Sequence, residues 1–186
     1  MQIIITGGAG FLGQGLAKAL LSSSIVFDEL LLVDIVKPSN ISDDKRIICQ
    51  QTDLSEVGEA KKIISSKTGI VFHLAAVVSS HAEKDFDLGW KVNLDITRQL
   101  LEACRHQNTN ISFVFASSLA VYGGKLPDKV SESTVVTPQS SYGTQKAIGE
   151  LLINDYTRKI LLMVGYCDYL LFVFVPGDRI LLLHLL

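Results

Sequence analysis

The sequence predicts an α/β fold, a doubly wound parallel sheet with helices on both faces. Three observations carry this. Short apolar runs alternate with amphipathic segments. A glycine-rich turn, Gly7-Gly8-Ala9-Gly10-Phe11-Leu12-Gly13, joins the first apolar run to the first amphipathic one. An acidic residue, Asp34, closes the second apolar run about twenty residues beyond that turn.

The elements follow in order. Residues 3–6 are a short buried strand stopped by glycine, with no basic residue ahead, so no secretory signal is expected. Further strands are expected at 30–34, 46–50, 70–74 and 112–116, with helices at 12–21, 56–64, 88–105 and 142–156. In 88–105 an apolar stripe of Val92, Leu94, Ile96, Leu100 and Leu101 is flanked by Asp95, Arg98, Gln99, Glu102 and Arg105. Strand and helix in alternation predict parallel pairing with right-handed crossovers.

Composition bounds the function. The chain has 186 residues, 48% hydrophobic and 19% charged, which excludes a disordered class and allows one domain with a core. The net charge of −2 offers no basic excess for phosphates, so no nucleic acid partner is expected. Cys49, Cys104 and Cys167 are odd in number and widely spaced, which suggests neither a disulfide framework nor a metal site. A reducing, cytoplasmic setting is expected. His73 is expected to pack at a strand end, and His81, His106 and His184 lack metal-ligand spacing. Phe86 and Trp90 are expected to pack a helix rather than stack a base.

Composition shifts near residue 160. Residues 160–186 are almost wholly apolar, with Asp168, Asp178, Arg179 and His184 the titratable exceptions besides Tyr and Cys. The run 160–175 is interrupted by Gly165 and Asp168 and falls short of the roughly 20 residues a bilayer span needs. Buried strands, with 170–175 as one, are set beside a membrane span and a tail that is not native in the ordinary sense. No membrane partner is expected.

Two groups of residues carry chemistry. The glycine turn lets a pyrophosphate approach the backbone, and the helix start beyond it offers N–H groups and a positive dipole end. Asp34 suits the two hydroxyls of an adenosine ribose and would repel a 2′-phosphate, which favours NAD over NADP; an exposed strand-end aspartate is the alternative, and Lys37 lies close by. Asp53-Leu54 follows the third strand where an adenine would lie, although Asp53 also suits a helix N-cap. The second group is Tyr142-Gly143-Thr144-Gln145-Lys146. Tyr and Lys four apart share a helix face, where an ammonium would lower the tyrosine pKa. Ser117-Ser118 closes the fifth strand with hydroxyls that suit a substrate oxygen.

Together these motifs resemble the extended short-chain dehydrogenase/reductases, the NAD-dependent epimerase/dehydratase family. The matching segments are Thr6 to Gly13, Asp53-Leu54, His73-Leu74-Ala75-Ala76, Asn93, Ser117-Ser118-Leu119-Ala120-Val121-Tyr122-Gly123 and Ser141 to Lys146. The resemblance implies a Rossmann-type NAD-binding domain over residues 1–159. Gly7, Gly10, Phe11, Leu12, Gly13, Asp34, Asp53 and Leu54 would hold NAD, with Ala75 and Ala76 lining the nicotinamide side. Ser118 would be the catalytic hydroxyl, Tyr142 the base and Lys146 its partner, all three also touching the cofactor. Asn93 would support the neighbouring strand and helix.

Further segments resemble members that oxidise the C2 hydroxyl of a four-carbon sugar acid: Ala76-Val77-Val78-Ser79-Ser80, 83–89 and 137–150. On that likeness Tyr142 takes the hydroxyl proton, Ser118 holds the oxygen, and Ser79 and Ser80 contact the sugar acid or lie in a solvated loop. Family members continue with later strands and a substrate-capping domain, which 160–186 does not resemble. The expectation is a missing C-terminal substrate domain, a tail produced by a reading-frame shift, and activity that is weak or absent. A nucleotide-sugar epimerase/dehydratase and a non-catalytic NAD-binding remnant are the rival readings. The family also implies a homodimer through helices 88–105 and 142–156.

Overall fold

The computed structural model describes residues 1–159 except 40, 108, 109 and 132, together with the strand backbones of 172–175 and 179–182. Five parallel strands form the main sheet: β1 (Gln2–Thr6), β2 (Glu29–Asp34), β3 (Ile47–Gln51), β4 (Thr68–His73) and β5 (Ser112–Phe115), in the order β3-β2-β1-β4-β5. The fold is Rossmann-like. The strand order reverses at β1, so a crevice opens beyond the carboxyl ends of β1 and β4, where ligands bind in such sheets.

The period-two alternation of β1 sorts the core. Ile3 and Ile5 face Leu16, Ala17 and Leu20 of α1 (Phe11–Leu21). Ile4, between them, faces the other way, with Leu31 and Val71 from its neighbours, Phe113 from β5, and Leu100, Leu101 and Cys104 of α5 (Ile96–His106). A strand buried on both faces explains why the sequence shows an unbroken Ile-Ile-Ile rather than alternation.

Two expected helices differ, and one helix is new. The second helix, α2, covers only Glu59–Ile63 and starts after a turn through Gly58. The expected helix 88–105 is α4 (Phe86–Gly89), a π-helical turn (Trp90–Asp95) and α5 in succession. Where the π turn passes into α5, the Thr97 hydroxyl donates to the Asn93 carbonyl at 2.9 Å, a side chain bonded into the helix ladder. A short α3 (Ser79–Lys84) precedes α4 where a solvated loop was the alternative. The last described helix, α6, runs Ser141–Arg158. In the apolar tail, β6 (Phe172–Val175) pairs antiparallel with β7 (Arg179–Leu182) as a separate two-stranded sheet. It therefore adds no sixth strand to the main sheet; the burial expected of that segment, and Cys167 and His184, lie outside the described residues. No helix among the described residues is long and apolar enough to cross a membrane.

Candidate functional site

A cavity of about 480 Å³ opens at the carboxyl ends of β1, β2 and β4. Gly7, Gly10, Phe11, Leu12, Gly13, Asp34, Asp53, Leu54, Ala75 and Ala76 all line it. The glycine turn is shaped by close packing. A Cβ on Gly13 would stand 2.3 Å from the Gly7 carbonyl, so any side chain there would push α1 off β1. Gly10 caps α1 with backbone alone, so the first N–H groups of the helix meet no side-chain acceptor in the cap. Those features fit a dinucleotide: a backbone cradle, a helix N-terminus and a carboxylate at the far side.

Asp34 is fixed from two sides. Its Oδ2 accepts from Ala9 N at 3.0 Å and its Oδ1 from Val36 N at 3.3 Å. The carboxylate thus ties the glycine turn to β2 and stands at the cavity wall. Asp53 is not a helix N-cap: Gly58 holds that position, and the Asp53 carboxylate instead accepts from Ser55 N and Oγ at 2.9 and 2.6 Å. Those bonds hold its pKa below the ordinary carboxylate value. Ser79 and Ser80 open α3, are exposed, and do not line this cavity. The wall that sequence reasoning missed is Leu88, Val92 and Ile96, a stripe of spacing four across α4, the π turn and α5. In the sequence Val92 and Ile96 belong to the apolar stripe of the helix, with no sign that they face a cavity.

The second group gathers past β5. Ser118 is the N-cap of a 3-10 turn (Leu119–Val121), its Oγ accepting from Ala120 N at 3.2 Å. Gly143, one residue after Tyr142, lets α6 reach that turn: a Cβ there would stand 2.1 Å from the Ala120 carbonyl. The contact brings Tyr142 against Ser118. The expected lowering of the Tyr142 pKa is reversed here. Burial raises it above its ordinary value, and a hydrogen bond from Ser118 opposes the rise. Lys146 stands beside it: its Nζ donates to the Ala116 carbonyl at 2.9 Å and lies 5.8 Å from the Tyr142 ring centroid. Burial draws the Lys146 pKa down to about 8, and Glu150 acts in the other direction.

A buried polar chain braces the two groups: Asn93 and His73, expected as a support and as a strand-end residue, are joined in it by Thr6, Thr97 and Gln145. Thr97 donates to the Asn93 carbonyl, so its oxygen is free to accept from His73 Nε2–H at 3.0 Å. His73 Nδ1 then accepts from the Thr6 hydroxyl at 2.7 Å, and Thr6 Oγ1 accepts from Ala75 N at 3.3 Å. Each donor finds an acceptor only if His73 is neutral, and burial pushes its pKa down to about 3. Asn93 itself bonds both Val77 N and O, at 2.9 and 3.2 Å, and donates to Gln145 Oε1 at 2.8 Å. One network therefore sets β1, the loop after β4, the π turn and α6. Phe86 and Trp90 pack against each other with ring centroids 5.7 Å apart. No group of three His, Cys, Asp or Glu among the described residues is placed to hold a metal.

Comparison with known proteins agrees with this geometry. The NAD dependent epimerase/dehydratase family matches residues 3–165. D-erythronate dehydrogenase from Haemophilus influenzae (strain ATCC 51907 / DSM 11121 / KW20 / Rd) is 52% identical over 160 residues, covering 86% of this chain and 51% of that protein. D-erythronate dehydrogenase from Cupriavidus necator is 50% identical over 167 residues, with the same coverage of each. The chain spans about half the length of the curated relatives it matches. Among solved structures, the nucleoside-diphosphate-sugar epimerase from Agrobacterium tumefaciens superposes with a TM-score of 0.84 at 38% identity, covering 88% of this chain and 51% of that one. The UDP-glucuronic acid 4-epimerase from Bacillus cereus in complex with NAD gives 0.74 at 30% identity, covering 88% and 55%.

Proposed function

The chain belongs to the NAD-dependent epimerase/dehydratase family, and from that premise we propose that it is the cofactor-binding and catalytic part of a sugar-acid dehydrogenase. The reaction proposed is oxidation of the C2 hydroxyl of D-erythronate, a four-carbon sugar acid, to the 2-oxo acid. The observation that supports it most is the convergence of Ser118, Tyr142 and Lys146 past β5 in a chain half identical to two D-erythronate dehydrogenases.

NAD, when bound, supplies the acceptor for the hydride that leaves C2. The chain's own residues do the rest. Gly7, Gly10, Phe11, Leu12 and Gly13 hold the pyrophosphate, Asp34 the adenosine ribose, Asp53 and Leu54 the adenine side, and Ala75 and Ala76 the nicotinamide side. Tyr142 takes the proton from the C2 hydroxyl as the C–H bond breaks and the carbonyl forms. Ser118 donates to that oxygen and holds it beside the phenol. The Lys146 ammonium favours the phenolate that must accept the proton. Ser79 is the proposed contact for the remaining hydroxyls. Residues 1–159 act as the functional unit.

Structural relatives that handle nucleotide sugars favour a second reading, epimerisation with retained NAD. Incubating the purified chain with NAD and D-erythronate separates the two. Appearance of NADH and 2-oxo acid, even slow, is expected; interconversion of a nucleotide sugar without net NADH would favour the second. Titration calorimetry is expected to show NAD binding at least about tenfold tighter than NADP, because Asp34 repels a 2′-phosphate. Binding of neither removes both readings.

A further inference from the structure

We propose that Glu150, held by the Ser117 hydroxyl, is a positioning residue that keeps the Lys146 side chain charged where α6 meets the end of β5. The use of that charge rests on the dehydrogenase reading; the arrangement does not.

Ser118 is extended at φ −155°, ψ 148°, so the adjacent Ser117 and Ser118 side chains leave the strand end in different directions. Ser118 faces the 3-10 turn and Tyr142, whereas the Ser117 hydroxyl donates to the Glu150 carboxylate. Tyr142, Lys146 and Glu150 are spaced by four along α6 and stack on one face of it. That face lies on the end of β5: a Cβ on Gly149 would stand 2.8 Å from the Phe115 ring, and the Lys146 Nζ lies 4.6 Å over that ring.

Lys146 and Glu150 are both buried. An ammonium among ring carbons and one carbonyl oxygen is costly without an anion nearby. The titratable groups facing it among the described residues are His73 from β4, and Tyr142 and Glu150 from α6. His73 is held neutral, and of these groups Glu150 is the one that acts on Lys146 in favour of its charged form. Burial has already drawn the Lys146 pKa to about 8, near the edge of losing its proton at neutral pH, and Glu150 is the influence that raises it. A neutral amine at this position would give no support to a Tyr142 phenolate.

A bracing role alone would need only the Ser117 hydrogen bond, which a glutamine also accepts. Glu150→Gln therefore separates charge from brace. In the full 186-residue chain carrying lysine labelled with 13C at Cε, the Lys146 signal is assigned by its loss in Lys146→Arg and followed over a pH titration. Glu150→Gln is expected to lower the titration midpoint of Lys146 by about one pH unit or more; an unmoved midpoint in the folded variant overturns the proposal. Should Glu150→Gln fail to fold, Ser117→Ala keeps the carboxylate while removing its donor. It is expected to lower the midpoint by less, and no movement there is equally fatal. The titration uses neither cofactor nor substrate, so its failure leaves the dehydrogenase reading intact, and a chain that oxidises no sugar acid can still pass it.

Discussion

The proposed cofactor cradle and the proposed catalytic corner of this protein are built by opposite means. The cradle is backbone: Gly7 to Gly13 hold their shape because no side chain fits between α1 and β1, and Asp34 closes it by accepting from Ala9 N. The corner is side chain, with Lys146, Glu150, Gln145 and His73 buried and bonded across α6, β4, β5 and the π turn. A backbone site tolerates change in what surrounds it and fails at one or two positions. A site of buried polar groups stands or falls with the packing of the whole domain.

The largest expected effects exploit that difference. Tyr142→Phe removes the proposed proton acceptor without touching the cradle. Turnover of D-erythronate should fall by about 10²-fold or more while NAD affinity stays within about threefold. Gly13→Ala should do the reverse: its methyl meets the Gly7 carbonyl, and NAD affinity should drop by about tenfold or more. Calorimetry and NADH formation on the two variants give a crossed pattern. If Tyr142→Phe loses NAD binding as well, the corner and cradle are one unit, and the comparison above is wrong.

How much the sequence revealed follows the same division. The cradle was legible because its residues are contiguous and their chemistry is conformational; Gly7, Gly10, Gly13 and Asp34 all line the cavity. Tyr142, Lys146 and Ser118 were legible by motif, yet not their electrostatics: a phenol beside a lysine on one helix face suggests a lowered pKa, and burial reverses it. Partners far apart in the chain, such as Thr6 with His73 and Asn93 with Gln145, leave no periodic trace. The π turn was hidden for the same reason, since its apolar stripe is that of any amphipathic helix. In the tail, an apolar run announced strands but not their antiparallel pairing apart from the main sheet.

His73 sharpens the comparison through pH. Its folded pKa of about 3 lies below the ordinary value of 6.5, so between these the unfolded chain binds more protons than the native one. The stabilisation is complete above pH 6.5 and is lost as the pH falls through that window. The expected slope is about 1.4 kcal/mol per pH unit. Glu102, whose pKa is drawn down to about 2 by Arg105, adds a slope of the same sign only below about 4.5. Between pH 6.5 and 4.5 His73 therefore contributes to the slope while Glu102 does not. Urea unfolding at several pH values should show it, and His73→Gln should be less stable at neutral pH but nearly flat over this range. A wild-type chain with no slope there would mean that the polar chain through Thr6 and Thr97 survives protonation.

The smallest effect tests how the corner is anchored. Two acceptors hold the first turn of α6 around Tyr142: Ser140 Oγ takes Gly143 N at 3.0 Å, and Glu83 Oε1, from α3, takes Ser141 N at 2.6 Å. Ser140→Ala should cost about 1 kcal/mol, the usual price of a lost N-cap. Glu83→Ala should cost about half of that, since its bond is exposed and more easily replaced by water. Both bonds serve one turn, so losing either loosens what the other holds. The double variant should then lose about 0.5 kcal/mol less than the sum of the singles in urea unfolding. Additive losses would mean that the turn stays in place without its caps. The close seating of Gly143 on Ala120 would then be what fixes Tyr142 beside Ser118, and packing rather than hydrogen bonding would anchor the corner.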